Sequence, residues 1–316
     1  MALLGSGVVA LGHVLIDCVG RVSGEVLNIL DHLSSPAHVD AALMEKITEA
    51  LDANAQEPPL SRRAGGGAAV TAKACSSQGL PAVLLGCVGR DAGARFLLKE
   101  LDLPGVELRF FESDKPTGRF CCFDTPKGRK IVASPQAARD IRRYSIPEDC
   151  LKQGWVLHID GLLIDEPEWL RGIAERAKAA GMAVSMDVST SFNAAKSMAE
   201  LLAFARQYCD LVFANEEEWE RLIHGVELEH SAARSCVWVI KKAERGASAL
   251  KNGEWTHKVA VEKLRISDDI GAGDAFAAGF LATWLAGEAI AFCLARGNES
   301  AALLLSQRRL KEMEAL

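Results

Sequence analysis

The stretch Asp268-Asp269-Ile270-Gly271-Ala272-Gly273-Asp274-Ala275-Phe276 places a short glycine-rich turn before an apolar run, Ala275 to Ala286, that predicts a helix. Such a turn leaves backbone N–H groups unobstructed where the helix dipole also favours an anion. Asp274 lies at the same place, and its carboxylate is a good proton acceptor. An anion cradle beside a base indicates phosphoryl transfer to a hydroxyl. From this stretch alone, a tight turn followed by a helix cap remains the alternative.

The bulk properties are those of an ordinary globular protein. The chain has 316 residues, of which 49% are hydrophobic and 25% charged. Its net charge of −6 argues against a nucleic-acid partner but leaves a small anionic ligand open. No apolar run approaches the roughly 20 residues that span a bilayer, and Met1 to Leu15 lacks the features of a signal peptide. Nine scattered cysteines without a Cys-x-x-Cys pair predict reduced thiols, no zinc site and a cytoplasmic protein.

Short apolar runs alternate with longer helical patterns along most of the chain. This alternation predicts an α/β fold of βαβ units, with helices on both faces of a mostly parallel sheet. In such a sheet, sites lie at the carboxyl ends of the strands. The predicted strands are Leu3–Leu11, Ala82–Cys87, Trp155–Ile159, Ala183–Asp187, Leu211–Ala214 and Cys236–Ile240. The predicted helices are Ala68–Gln78, Ala94–Leu101, Glu168–Ala180, Ala195–Gln207, Glu216–Ile223, Gly273–Ala286 and Ala289–Ser306.

Two segments interrupt this alternation. Residues 18–64 are polar and mixed, and residues 107–134 read as short strands with turns, beginning with Glu107–Glu112. Antiparallel strands inserted into a parallel domain can form a lid over a site. We therefore expect a single domain over residues 1–316 with two lid segments; a hairpin without a catalytic role is the alternative.

A glycine-rich segment and an aspartate in the N-terminal part of the chain could bind an acceptor. Gly65-Gly66-Gly67 opens a helix just after Arg62 and Arg63, and three glycines allow a ligand to approach the backbone closely. Asp17 follows the first predicted strand and could accept hydrogen bonds from two neighbouring hydroxyls. The plain alternatives are a flexible loop and an Asp that caps its own turn.

Two further strand ends carry polar residues. Asn215-Glu216-Glu217-Glu218 follows a strand, and its first and last side chains share one side of a helical turn, where oxygen ligands suit Mg²⁺. Acidic residues are also common in first turns without any metal. Lys241 and Lys242 follow another strand, where positive side chains could meet nucleotide phosphates or form a solvated turn.

Taken in order, these motifs resemble the PfkB (ribokinase-like) family of sugar and nucleoside kinases over nearly the whole chain. One such motif is weak, but seven in the family's order are specific. The matching segments are Gly12-x4-Asp17, Gly65-Gly66-Gly67-Ala68-Ala69, Val88-Gly89-Arg90-Asp91-Ala92-Gly93, Thr117-Gly118, Asn215-x-x-Glu218, Gly246 and Asp268-x-x-Gly271-Ala272-Gly273-Asp274.

The resemblance implies a three-layer ribokinase-like sandwich with a small β lid, and a kinase that uses ATP and Mg²⁺, with K⁺ and a homodimer as further family properties. It implies Asp274 as general base, with the N–H groups of Ile270 to Gly273 holding the developing charge. Asp17 and the Gly65–Gly67 loop would bind the acceptor. Asn215 and Glu218 would hold Mg²⁺ through water, and Asp268 a monovalent cation. The nucleotide residues implied are Asn215, Lys241, Gly246, Gly271, Gly273 and Asn298.

Three positions depart from the family pattern. Val70 stands where an Asn completes the glycine loop, which removes one acceptor contact. Asp269 replaces a Thr, and two adjacent ionised carboxylates favour a nearby cation or a raised pKa. Ala243 stands where the nucleotide loop has its first glycine.

We expect a carbohydrate as the acceptor, with a nucleoside as the alternative. The size of the family favours a carbohydrate, and the long interval between Asp17 and Gly65 favours a nucleoside. A ligand-binding protein of the same fold without turnover is a third hypothesis. A dinucleotide-dependent oxidoreductase is excluded, because no Gly-x-Gly-x-x-Gly follows the first predicted strand.

Overall fold

The computed structural model describes residues 5–53, 60–189, 195–224, 236–258 and 268–314. In chain order the strands are β1 (Val8–Leu11), β2 (Leu15–Arg21), β3 (Ala37–His38), β4 (Ser61–Gly65), β5 (Ala82–Val88), β6 (Val106–Glu112), β7 (Arg119–Thr125), β8 (Gly128–Ser134), β9 (Val156–Asp160), β10 (Ala183–Asp187), β11 (Leu211–Asn215), β12 (Val237–Lys241), β13 (Ala247–Lys251) and β14 (Glu254–Lys258). The helices are α1 (Gly24–Asp31), α2 (Ala41–Ala53), α3 (Gly67–Ser77), α4 (Ala92–Glu100), α5 (Pro167–Ala179), α6 (Ala195–Tyr208), α7 (Glu216–Ile223), α8 (Ala272–Leu285) and α9 (Ile290–Glu314).

The large sheet has the strand order β14-β13-β12-β11-β10-β9-β1-β5-β6. Neighbours from β12 to β6 are parallel, and β13 and β14 add an antiparallel edge. Alternate residues of β1 enter opposite layers: Val8 and Ala10 pack with the helices α3, α8 and α9, whereas Val9 and Leu11 pack with α5 and α6. The sheet is thus covered on both faces, which explains why its strands read as continuous apolar runs. The predicted three-layer α/β fold is confirmed.

The element boundaries follow the sequence predictions closely. The predicted strand Leu3–Leu11 begins only at Val8, and its first two residues lie outside the described part of the chain. Helix α9 extends to Glu314, past its predicted end at Ser306. None of the described helices is long and apolar enough to cross a membrane. All nine cysteines are buried and free.

A smaller five-stranded sheet, in the order β3-β8-β7-β2-β4, lies beside the large one. It is built from the predicted interruptions, with one correction: the segment 107–112 is not part of it. Strand β6 is the edge of the large sheet and pairs with β5 in parallel. Val106, Leu108 and Phe110 of β6 pack on the core, and the residues between these positions, Glu107 and Arg109, are exposed. An edge strand covered on one face shows the same alternation as a lid strand, so the pattern could not separate the two.

Candidate active site

A cavity of about 410 Å³ lies between the carboxyl ends of the large-sheet strands and the small sheet. On the side of the large sheet, the cavity is lined by Asp160 at the end of β9 and by Asp274 at the start of α8. From the small sheet it is lined by Asp17 and Phe120. Strands that end together place their polar terminal residues together, which is the position expected for a site in an α/β fold.

The turn from Gly271 to Gly273 is the candidate anion cradle. Gly271 has a φ of 83°, and a Cβ on it would lie 3.0 Å from Val70 Cγ1, so a larger residue is excluded there. The Ala272 N–H donates to the Asp269 carbonyl. Among the described residues, the N–H groups of Gly271 and Gly273 have no protein acceptor. These two N–H groups are the ones that remain for an anion at the start of α8.

The expectation that every N–H from Ile270 to Gly273 serves the anion is therefore wrong in part. The Ile270 N–H donates to Asp268 Oδ1 at 3.2 Å, and that of Ala272 is used within the turn. Both bonds hold the turn in shape. Ile270 and Ala272 thus shape the cradle, and the two glycines present donors to it.

Asp274 combines access with an unusual charge environment. Its side chain lines the cavity, while protein atoms on its other sides separate it from bulk water. This desolvation raises the pKa of Asp274 well above its usual range, and the neighbouring carboxylate of Asp187 raises it further, while Lys241 opposes the shift. A raised pKa suits a carboxylate that must take a proton near neutral pH.

Asp17 and the glycine loop meet Asp274 directly. Asp17 lies inside β2 of the small sheet, not in a loop after β1 as the sequence suggested. Any side chain at Gly65 would overlap the Asp17 carboxyl group, and a Cβ on Gly67 would lie 3.1 Å from Asp274 Oδ1. The loop Gly65–Gly67 therefore runs between the two carboxylates. Burial raises the pKa of Asp17 to about 7, against the opposing charge of Arg63.

Asn215 and Glu218 form a capping box at the start of α7. Glu218 N donates to Asn215 Oδ1, and Asn215 N donates to Glu218 Oε2, both at 2.8 Å. The structural role that the sequence left as an alternative is therefore present. Glu218 also lines the cavity and raises the pKa of Lys241, whereas Asn215 does not line it. A buried carboxylate facing the cavity can still hold a hydrated Mg²⁺ through its solvent-facing side.

Lys241 lies beside the cradle. Its Nζ is 2.5 Å from Asp187 Oδ2 and would be 2.9 Å from a Cβ on Gly273. Desolvation lowers the pKa of Lys241, but the charges of Asp187 and Glu218 outweigh it and raise the value. Lys241 is thus a fixed positive charge next to the anion site.

The other predicted nucleotide residues lie outside the cavity lining. Ala243 keeps a φ of 49° and Gly246 one of 87°, so the loop retains a left-handed backbone even without its first glycine. Asn298 Nδ2 is buried on α9 with no hydrogen-bond partner in the described ranges.

Asp268 and Asp269 are paired with arginines. Asp268 accepts from both Nη atoms of Arg63 on β4, and Arg308 on α9 approaches it at 3.4 Å. Asp269 accepts from Arg129 on β8 at 2.8 Å. Burial raises the pKa of Asp268, but the hydrogen bonds and charge of Arg63 outweigh burial and hold the pKa below its usual range.

The sequence left a nearby cation or a raised pKa open for these two carboxylates, and the structure holds the pKa of Asp268 below its usual range through Arg63. The guanidinium groups of Arg63 and Arg308 supply the positive charge, so the structure gives no support to K⁺ at this position. Arg308 also donates to the Ile270 carbonyl, which ties the C-terminal helix to the cradle turn. In the described part of the chain, no group of three His, Cys, Asp or Glu side chains is arranged as a metal site.

Sequence reasoning missed Asp160, Asp187, Arg63 and Arg308. Asp160 and Asp187 each end a buried strand, and that position alone could have identified them. Arg308 left no local signal, because it reaches Asp268 from 40 residues further along the chain.

Comparisons with known proteins agree with this geometry. The model of the family described as pfkB family carbohydrate kinase matches residues 7–314. An ATP-dependent ribose-1-phosphate kinase of Halopiger xanaduensis is 27% identical, over 85% of this chain and 90% of that protein. An adenosine kinase of Schizosaccharomyces pombe is 28% identical, over 77% of this chain and 79% of that protein.

The solved structure of adenosine kinase from Sinorhizobium meliloti superposes with a TM-score of 0.80 at 24% identity, and the match covers 95% of this chain and 94% of that one. This likeness shows a shared fold. Together with the family match over nearly the whole length, it establishes that the chain belongs to the pfkB family of carbohydrate kinases.

Proposed function

We propose that the protein transfers the γ-phosphate of ATP to a hydroxyl of a carbohydrate, with Asp274 as the general base. The observation that carries this proposal is the carboxylate of raised pKa directly beside two unused N–H groups at a helix start. A proton acceptor and an anion cradle at one place are what phosphoryl transfer to a hydroxyl requires.

In this mechanism Asp274 accepts the proton of the acceptor hydroxyl as its oxygen attacks the γ-phosphorus. The new O–P bond forms while the bond from the γ-phosphorus to the bridging oxygen breaks, and ADP leaves with that oxygen. The N–H groups of Gly271 and Gly273 stabilise the charge on the transferred group, and Lys241 adds a positive charge beside them.

Other residues bind and orient the reactants. Asp17 and the loop Gly65–Gly67 hold the acceptor hydroxyls, and Gly246 and Asn298 contribute to the nucleotide site. Glu218, with Asn215 behind it, would hold Mg²⁺ through water. When bound, that ion neutralises phosphate charge.

The small sheet acts as a lid in this proposal. Its residues Asp17 and Phe120 face the same cavity as Asp274, and Arg63 and Arg129 tie it to the turn at Asp268 and Asp269. A closed lid excludes water and so suppresses hydrolysis of ATP.

A nucleoside acceptor is the second candidate. Phe120 and Trp169 line the cavity, and the Trp169 ring is held by a 3.0 Å hydrogen bond from its Nε1 to the Tyr144 carbonyl. A fixed aromatic wall can stack against a base. The adenosine kinase relative favours the same class.

The test measures ADP release with Mg²⁺-ATP over sugars, sugar phosphates and nucleosides, beside Asp274→Asn as the control. Saturable release with one acceptor in the wild type, lost in the variant, supports the proposal. Release no greater than that of the variant with any acceptor would favour a binding protein without turnover.

A further inference from the structure

We propose that the acceptor carries an anionic group, a phosphate ester or a carboxylate, and that Arg139 binds this group at the end of the cavity away from Asp274. This inference rests on the function proposed above and names the class of carbohydrate. It starts from the distribution of positive charge on the cavity wall.

Two cationic side chains line the cavity within the described residues, Arg139 and Arg142. Arg142 is neutralised by Glu166, whose Oε1 accepts from its Nη1 at 2.6 Å. Arg139 has no ion pair or hydrogen bond to any described side chain. An arginine without a carboxylate partner, directed at a ligand cavity, is suited to bind phosphate or carboxylate through its planar fork of donors.

The backbone that carries Arg139 is firmly held. The residue lies in the short 3-10 helix Gln136–Arg143, where Ala138 and Ile141 are fully buried. The next residue, Asp140, is 2% exposed and accepts from Ser113 Oγ at 2.6 Å and from Lys115 Nζ at 2.8 Å. Arg139 is thus presented by a rigid segment, which reduces the entropy cost of binding.

The space around Arg139 extends away from the reaction centre. A second cavity of about 260 Å³ shares His38, Pro135 and Arg139 with the first and does not include Asp274. An acceptor can therefore place a hydroxyl at Asp274 and a remote group at Arg139. Of the two arginines that line the cavity in the described part of the chain, Arg139 is the one without a carboxylate partner, so an anionic group is favoured at Arg139 rather than beside Asp17 and Asp274.

Two histidines near Arg139 have pKa values below their usual range. Burial lowers the pKa of His13 to about 4, and the charge of Arg139 lowers it further. Burial and Arg139 also lower the pKa of His38. With both rings neutral, the positive charge that an anionic group would meet in this part of the cavity is that of Arg139.

The test compares wild type, Arg139→Gln and Arg143→Gln. Arg143 is the matched control, because it lies on the same 3-10 helix, is exposed, interacts with Asp140 and does not line the cavity. ADP release would be measured with D-ribose, its 1- and 5-phosphate esters, D-ribonate and adenosine.

We expect the highest kcat/KM with an ester or with ribonate, and the better of these two arms identifies the anion as phosphate or carboxylate. Arg139→Gln should raise KM for that acceptor about 10- to 100-fold with little change in kcat, as for a lost charge-assisted contact. Arg143→Gln should leave KM unchanged. A preference for ribose or adenosine, or equal effects of the two variants, would overturn the role of Arg139 while leaving the proposed kinase function intact.

Thermal stabilisation by the same esters and by ribonate, without ATP, separates the two proposals. Absence of turnover with every acceptor would count against the kinase function. The melting-temperature shift still decides the subsite: a shift lost in Arg139→Gln and kept in Arg143→Gln supports it, and a shift of equal size in both variants overturns it.

Discussion

Two groups of carboxylates surround the same cradle: one group faces the cavity, and the other is paired with arginines. Asp17, Asp160 and Asp274 face the cavity, and burial raises their pKa values, to about 7 for Asp17 and about 6 for Asp160. Asp268 is also buried, yet Arg63 holds its pKa below the usual range. The residue type is the same; the presence of an arginine partner decides whether the group is a proton acceptor or a structural anion.

The two groups of carboxylates also differ in what they contact. The arginine-paired carboxylates connect the turn to the small sheet and to α9, whereas the cavity carboxylates are left for substrate and proton. Carboxyl groups with raised pKa values and ion pairs that stabilise the fold thus lie close together around this one turn.

The largest expected effect follows from removal of the base. Asp274→Asn should lower kcat by about 10²- to 10⁴-fold, because the amide cannot accept the hydroxyl proton. Nucleotide binding, measured by calorimetry, should be retained, because the cradle N–H groups belong to the backbone. Turnover near the wild-type level in this variant would remove Asp274 from the mechanism.

The second prediction compares the stability of two variants at adjacent residues. Asp268→Asn should lower the free energy of unfolding by about 3 kcal/mol, because it leaves Arg63 and Arg308 buried without their counter-ion. Asp269→Asn is the control, since its side chain is 64% exposed and its pair with Arg129 is worth about 1 kcal/mol or less. Urea unfolding measures the free energy of unfolding of both variants. An equal decrease in the two variants would contradict the larger contribution expected from the more buried pair at Asp268.

The third prediction concerns pH. Because the pKa of Asp17 is raised from 3.8 to about 7 in the folded state, its contribution to stability is present below pH 4 and is lost as pH rises through 7. Asp17→Asn does not titrate, so its stability relative to the wild type should increase between pH 4 and pH 8, by about 4 kcal/mol for a shift of about three pKa units.

Denaturant unfolding across this pH range measures that difference. A flat difference for Asp17→Asn would contradict the raised pKa.

The smallest expected effect is that of K⁺. Because two guanidinium groups already surround Asp268, replacing Na⁺ by K⁺ in the assay should change kcat/KM by less than about 2-fold at constant ionic strength. The measurement is a titration of ADP release with each salt. Saturable activation by K⁺ alone would show that a cation site exists elsewhere or that Arg308 leaves its place.

Local patterns were sufficient for most of the framework. The glycine turn, the helix after it and the buried strands were visible as motifs and periodicities, because each depends on neighbours within one or two turns of chain. The capping box of Asn215 and Glu218 is equally local, an Asn three residues before a Glu, but the sequence alone predicted ligands of Mg²⁺ or ordinary acidic residues of a first turn here. Strand β6 was misplaced, since its alternation fits a lid strand and a sheet edge equally.

By itself, the sequence determined the α/β class, the glycine turn from Gly271 to Gly273 and the position of Asp274 in the helix that follows. Only the tertiary structure decided what surrounds them: Lys241 against Asp187, Arg63 and Arg308 on Asp268, and Arg139 on the far wall of the cavity. The physical reason is range. Backbone turns and helix starts depend on adjacent residues, whereas charge pairing depends on contacts such as that between Arg63 and Asp268, which are separated by 205 residues of chain.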